Sequence, residues 1–305
     1  MEFRLAYLAP RYWPTALGLV LLRIFEPLPY PVLVGLGTTL GAIVRRLPIA
    51  FVRTARRNLE LCLPELDPAT RERVLAQHFH SLGISLFETA IAWWSSDRRV
   101  LRLTELEGAE HLERVLRDGH GAILLSAHFT PIEIGVRALT ARMPMSVMYR
   151  PTKNELLGYF LARNRARRLR RAIPRDDIRT LISSLAANEP VWYATDQSYR
   201  KKGAEMVPFF GIPAATNTAT SRIAKMTGAA VLPFFPERLP RSQGYRMVIH
   251  PPLENFPGED RVVDATRLNA LIEAQVRHVP AQYLWIHRRL KGLSATDPDH
   301  YASVQ

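Results

Sequence analysis

The chain has 305 residues, 47% of them hydrophobic and 23% charged. That suffices for one packed α/β domain and excludes wholesale disorder. Its formal charge of +13 is mostly arginine excess and favours phosphate-bearing partners, whether nucleic acid, anionic lipid or an acidic carrier, without choosing among them. The single cysteine, Cys62, excludes an internal disulfide, and among Leu59, Leu61 and Leu63 it reads as a small buried side chain. No cluster of Cys and His suggests a metal.

Residues 12–44 are strongly apolar but broken by Arg23, Glu26 and the prolines Pro27, Pro29 and Pro31. The stretch 13–28 is long enough to span a bilayer only if Arg23 and Glu26 are tolerated, and 31–44 is charge-free but short. Arg45, Arg46, Arg53, Arg56 and Arg57 follow the apolar region against Arg4 and Arg11 before it. This asymmetry favours the later side, and so the rest of the chain, as cytoplasmic. The expectation is an N-terminal membrane anchor or interfacial helices over 1–50 and a catalytic domain over 51–305. A buried helical hairpin packed on the domain is the competing reading.

Beyond it the periods alternate. A helix is expected over 69–92, a strand over 103–108 and a helix over 109–117. Residues 121–127 form a continuous apolar run suited to a parallel strand buried on both faces. Strands follow at 145–149, 190–195, 229–235 and 245–249, with helices at 155–171, 178–187, 216–227 and 265–278. Such alternation argues an α/β fold with a mostly parallel sheet flanked by helices.

His128 falls where the buried strand ends, the place open α/β sheets put ligands. Glu133 follows in Thr130-Pro131-Ile132-Glu133, so it could simply close a capping box on Thr130. With nine histidines and 28 acidic residues, roughly one His-x4-acid match arises by chance, so the context after the strand carries the argument. Chemically, a carboxylate accepting from one imidazole nitrogen frees the other to take a hydroxyl proton. Arg163, Arg167, Arg170 and Arg171 are expected on one helix face, where with Arg175 and Arg179 they could hold lipid phosphates or steer an acidic carrier. His287, in Leu284-Trp-Ile-His-Arg-Arg289, reads as the polar edge of an amphipathic segment.

His128-x4-Glu133 after Gly121-Ala-Ile-Leu-Leu125 resembles the His-x4-Asp/Glu signature of lysophospholipid-type acyltransferases. Pro10-Arg-Tyr-Trp13, Arg57-Asn-Leu-Glu-Leu-Cys62, Glu88-Thr89, Tyr149-Arg-Pro151, Val191-Trp-Tyr-Ala-Thr-Asp196 and Tyr283-Leu-Trp-Ile-His-Arg-Arg289 narrow it. Together they resemble, almost end to end, the late acyltransferases of lipid A biosynthesis (lauroyl, myristoyl and palmitoleoyl transferases). The resemblance implies a glycerolipid acyltransferase-like fold at the inner membrane, its catalytic domain facing the cytoplasm. It implies transfer from an acyl carrier protein thioester to a hydroxyl of a Kdo-lipid IVA-type precursor, with no cofactor and no metal. His128 and Glu133 would be catalytic, and Arg150, Arg165, Arg175 and Asp196 substrate-binding. A related enzyme acting on another phospholipid or glycolipid, possibly from CoA, is the alternative. A nucleic-acid binder has only the charge behind it, and no recognition motif.

Overall fold

The computed structural model describes residues 4–304. Seven strands form one sheet in the order β1(Thr104–Glu107), β9(Tyr245–Ile249), β8(Ala230–Arg238), β2(Ala122–Ser126), β5(Pro190–Ala194), β3(Ser146–Tyr149), β4(Arg171–Pro174). Every neighbouring pair is parallel except β8 with β9. β2 sits at the centre with all five residues buried, as its unbroken apolar sequence demands. β6(Ala204–Phe209) and β7(Ile212–Asn217) form a separate antiparallel hairpin.

Alternation along the strands sends Leu124, Val147 and Trp192 to one face. There they meet the helices α4(Pro68–Trp94), α6(Ala109–Arg117), α7(Ile132–Thr140) and α8(Glu155–Arg168). Ile123, Leu125, Met148, Val191 and Tyr193 face α9(Ile178–Ala186), α10(Ala219–Thr227) and α11(Arg261–His278). A further cluster joins α3(Ala50–Cys62) to α4, α11 and the segment around Tyr283 and Trp285.

The N-terminal region folds into α1(Trp13–Phe25) and α2(Tyr30–Arg45), and neither stands apart from the domain. Tyr7, Tyr12, Leu19, Tyr30 and Leu33 belong to the same core as β2 and α7, so the expected boundary near residue 50 divides no core. Glu26 is buried; its carboxylate accepts from Arg23, Ser95 and Arg99. It ties the end of α1 to the domain. Where α2 crosses α4 the backbones nearly touch. A Cβ on Gly37, Gly41 or Gly83 would run into Ile84, Phe79 or Gly37 backbone respectively. Small residues at a crossing permit this approach, and α1 and α2 each pack their inner faces on α4.

Their outer faces remain apolar. Trp13, Leu17, Val20 and Ile24 on α1, then Val32, Leu36 and Ile43 on α2, are exposed at helical spacing, with Leu47 and Phe51 beyond. Among the described residues no single helix is long and apolar enough to cross a membrane; α2 and α3 would do so by length and composition only as a pair bent by 90°.

Candidate active site

The C-terminal ends of β2, β3 and β5 open into a cavity of about 1080 Å³ lined by His128, Glu133, Trp192, Arg165 and His287 among others. His128 lies just past β2, and both of its flanks are held by backbone. Its carbonyl accepts from Leu284 N–H at 2.9 Å, and Thr130 N–H donates to Gln282 at 2.7 Å. Phe129 and Tyr283 form an isolated antiparallel bridge. The segment carrying Tyr283 is pinned in turn by Asn58, whose Nδ2 donates to the carbonyls of Trp285 (2.6 Å) and His287 (2.8 Å). Tyr301 Oη completes the tie, donating to Asn58 Oδ1 and accepting from Leu290 N–H. Asn58 thus braces the site without lining it.

The carboxylate on the imidazole is Asp196. His128 Nδ1 lies 2.7 Å from Asp196 Oδ1, and His128 N–H donates to Oδ2 at 3.0 Å. Glu133, expected in that role, belongs to the same cavity but faces other partners: Trp93 Nε1 donates to its Oε2 at 3.4 Å, and its charge is felt by Arg165. The reason is position. Asp196 follows β5, the parallel neighbour of β2, so His128 and Asp196 leave adjacent strand ends side by side. Glu133 instead sits one residue into α7, which turns it toward α4. The capping box does not form either. Pro131 is the N-cap, with no side-chain cap bond, and the Thr130 hydroxyl pairs with Ser81 Oγ at 2.6 Å.

Burial alone would lower the His128 pKa, but the charge of Asp196 and its hydrogen bond outweigh it, and the value rises above the usual 6.5. Burial in turn would raise Asp196, yet His128 and the more distant Arg289 hold it below the ordinary range. The His128 side chain stays 29% exposed while that of Asp196 is 3% exposed. With Nδ1 occupied, Nε2 is the nitrogen left for a substrate.

The arginines sort differently from the expected common face. Helix α8 stops at Arg168, so Arg170 and Arg171 leave it and pair with the buried Glu189 at the opposite end of the sheet. Arg163 bonds Tyr159 Oη. Arg168 is spent on the carbonyls of Ala92 and Trp93, closing the end of α4. Arg165 is the one of that run whose guanidinium lies on the Tyr149 ring, 4.2 Å from its centroid, and burial lowers its pKa. Arg150 and Arg175 are exposed at the cavity rim; Arg175 sits 3.7 Å from Asp176.

His287 lines the cavity, contrary to its reading as a structural edge. Its Nε2 accepts from Ser198 N–H at 3.2 Å, and burial drives its pKa down to about 4, so it is neutral near pH 7. Nothing in its local pattern marks this, because the contact is made across 89 positions. Among the described residues no group of three His, Cys, Asp or Glu gathers as a metal site would require. The arrangement suits proton transfer from a hydroxyl by an oriented, partly exposed imidazole beside guanidinium groups.

A family model described as bacterial lipid A biosynthesis acyltransferase matches residues 1–292. The lipid A biosynthesis palmitoleoyltransferase of Escherichia coli strain K12 is 38% identical over 291 residues, 95% of each chain. The lauroyltransferase of the same organism is 36% identical over 301 residues, 98% of each. A lipid A biosynthesis acyltransferase of Haemophilus influenzae is 34% identical over 302 residues, covering 98% of this chain and 95% of its own.

Proposed function

Because the chain belongs to the bacterial lipid A biosynthesis acyltransferase family and is an acyltransferase, we propose that it carries a fatty acyl chain from an acyl carrier protein thioester to a hydroxyl of a lipid A precursor. The observation that carries the mechanism is the Asp196–His128 pair, which fixes the tautomer with its proton on Nδ1. Nε2 takes the proton of the acceptor hydroxyl as its oxygen attacks the thioester carbonyl. The tetrahedral intermediate collapses, the carbon–sulfur bond breaks, and the imidazolium returns the proton to the leaving thiolate. Asp196 stabilises the imidazolium between these steps. The charge of Glu133 reaches Arg165, whose guanidinium offsets the acceptor's negative charge beside the reacting centre. Ile132, Val136, Val147, Leu161 and Leu169 give the acyl chain an apolar wall.

The place of work is the cytoplasmic surface of the inner membrane. The outward rows of α1 and α2 are too large a set of exposed apolar side chains for a free helix face, and exposed Arg4, Arg11, Arg23 and Arg46 accompany them. Apolar residues edged by arginine suit a helix lying in the interface of an anionic bilayer.

Two measurements test this. Purified protein is given carrier-linked or CoA-linked acyl donors, with either a phosphorylated disaccharide lipid or a lysophospholipid as acceptor. Transfer confined to the lysophospholipid removes the lipid A reading. Flotation with phosphatidylglycerol-containing vesicles tests the second part; protein left wholly at the bottom of the gradient, at low salt, removes the interfacial reading.

A further inference from the structure

Among the described residues two imidazoles line the cavity, His128 and His287, and the mechanism above uses only the first. They lie close enough that the charges of His128 and Asp196 both act on the His287 ring. That ring sits on a held backbone. The His287 carbonyl accepts from Asn58 Nδ2 at 2.8 Å, and its N–H donates to the Leu284 carbonyl at 3.3 Å. Leu284 N–H in turn donates to the His128 carbonyl, so one short segment ties the two histidines together.

The hydrogen bond at Nε2 decides what the ring offers. Ser198 N–H, two residues past Asp196, donates to that nitrogen, so in the neutral ring the proton belongs to Nδ1. Tyr199 N–H donates to the Ala215 carbonyl at 3.1 Å and fixes the same loop one residue further on. Nδ1 has no hydrogen-bond partner among the described residues and, unlike the indole nitrogen of Trp192 in the same cavity, is not closed off by its neighbours. Burial, outweighing the charge of Asp196, keeps the ring uncharged near pH 7. A neutral imidazole of this kind polarises a carbonyl without giving up its proton. Acyl transfer needs such a group. The carbonyl oxygen turns negative as the tetrahedral intermediate forms, and the Asp196–His128 pair, engaged with the acceptor's proton, supplies no donor to meet it.

We propose that His287 is a second catalytic residue, whose Nδ1–H donates to the carbonyl oxygen of the acyl donor as that oxygen takes up negative charge. The acceptor oxygen bonds to the carbonyl carbon while the carbonyl π pair moves onto its own oxygen, beside Nδ1–H. The pair returns as the carbon–sulfur bond breaks, and His287 has neither gained nor lost a proton. The assignment rests on the thioester-donor reading above.

Two substitutions separate the nitrogens of the ring. The amide oxygen of His287→Gln falls close to Nε2, so Ser198 keeps its acceptor and the Nδ1 donor is lost. The amide nitrogen of His287→Asn falls close to Nδ1, so the donor survives and Ser198 loses its acceptor. Steady-state kinetics are taken on carrier-linked and CoA-linked acyl thioesters, with thermal midpoints alongside to separate lost turnover from lost fold. His287→Gln should lose about 10²–10³-fold in kcat, as removal of one oxyanion donor does. Its donor and acceptor KM should stay within a small factor, and the acidic limb of its pH profile, which belongs to His128, should stay in place. His287→Asn should fall short of that loss by at least about ten-fold. A near-wild-type kcat in His287→Gln overturns the proposal. So does an equal or larger loss in His287→Asn, which leaves the ring only its bond to Ser198, or a loss seen in KM instead of kcat, which makes it a binding residue. Wild-type protein that turns over neither thioester removes the donor reading, and this inference with it.

Discussion

Asp196→Asn separates the two carboxylates near His128. The wild-type side chain is almost wholly buried and holds both Nδ1 (2.7 Å) and the backbone N–H (3.0 Å) of His128. An asparagine has one oxygen for these two donors. If that oxygen stays on the backbone N–H, its NH2 faces Nδ1, and the ring must carry its proton on Nε2, where it cannot act as a base. The expected loss is about 10²–10⁴-fold in kcat, or about 3–5 kcal/mol of transition-state stabilisation. The pH profile gives a second readout. In the wild type Asp196 raises the His128 pKa above 6.5, so the acidic limb of kcat/KM lies above that value. Without the negative charge only burial remains, which favours the neutral ring, and the limb moves to lower pH. Glu133→Gln should lower turnover through Arg165 yet leave the limb where it was. A near-wild-type rate and an unmoved limb in Asp196→Asn, with the limb shifted in Glu133→Gln, would return the role to Glu133 and refute the reasoning.

Gly41→Ala forces a methyl into the Phe79 backbone across the α2–α4 crossing and should cost about 1–3 kcal/mol by denaturant titration; an unchanged midpoint would mean the helices do not pack as described. Glu88 is buried and accepts from Arg238 Nε and Nη2 and from Tyr245 Oη. Glu88→Gln strands the buried guanidinium and should remove about 3–5 kcal/mol of stability, and a loss under about 1 kcal/mol would contradict the pairing. His78 is fully buried, and burial pushes its pKa down to about 4. The unfolded chain therefore binds more protons between pH 6.5 and 4, and stability falls as pH drops through that window, by about 3 kcal/mol in all. His78→Asn should flatten this slope in urea midpoints taken across the window; an identical slope would show that another group carries it.

Sequence periodicity carries the repeating layers well, because β2 and the amphipathic helices are set by local hydrophobic spacing. It fails where partners are distant or turns are atypical. Asp196 stands 68 positions from His128, and only the adjacency of β2 and β5 joins them. The β6–β7 hairpin turns on Phe210 and Gly211, both at positive φ (52° and 74°). A turn of this kind ordinarily announces itself with Asn-Gly or Asp-Gly, and phenylalanine at its first position hides it. Strand β4 goes unread between the helices expected over 155–171 and 178–187, since four residues, Arg171–Pro174, are too few to show a period of two. The arginine face vanished for the same reason: the backbone turns extended at Leu169 and carries Arg170 and Arg171 away. Glu133 shows the opposite error. Its spacing suggested both a base partner and a cap, and tertiary neighbours took each role from it.

The brace formed by Gln282, Tyr283, Leu284 and Tyr301 bears on the order in which the molecule becomes competent. These residues hold the loop of His128 from outside the sheet, and they leave the ribosome long after that loop and longer still after α1 and α2. A nascent chain thus displays its apolar helices while His128 still lacks half its supports. A partly made chain therefore has no firmly held base, and activity waits on the C-terminal segment that carries these residues.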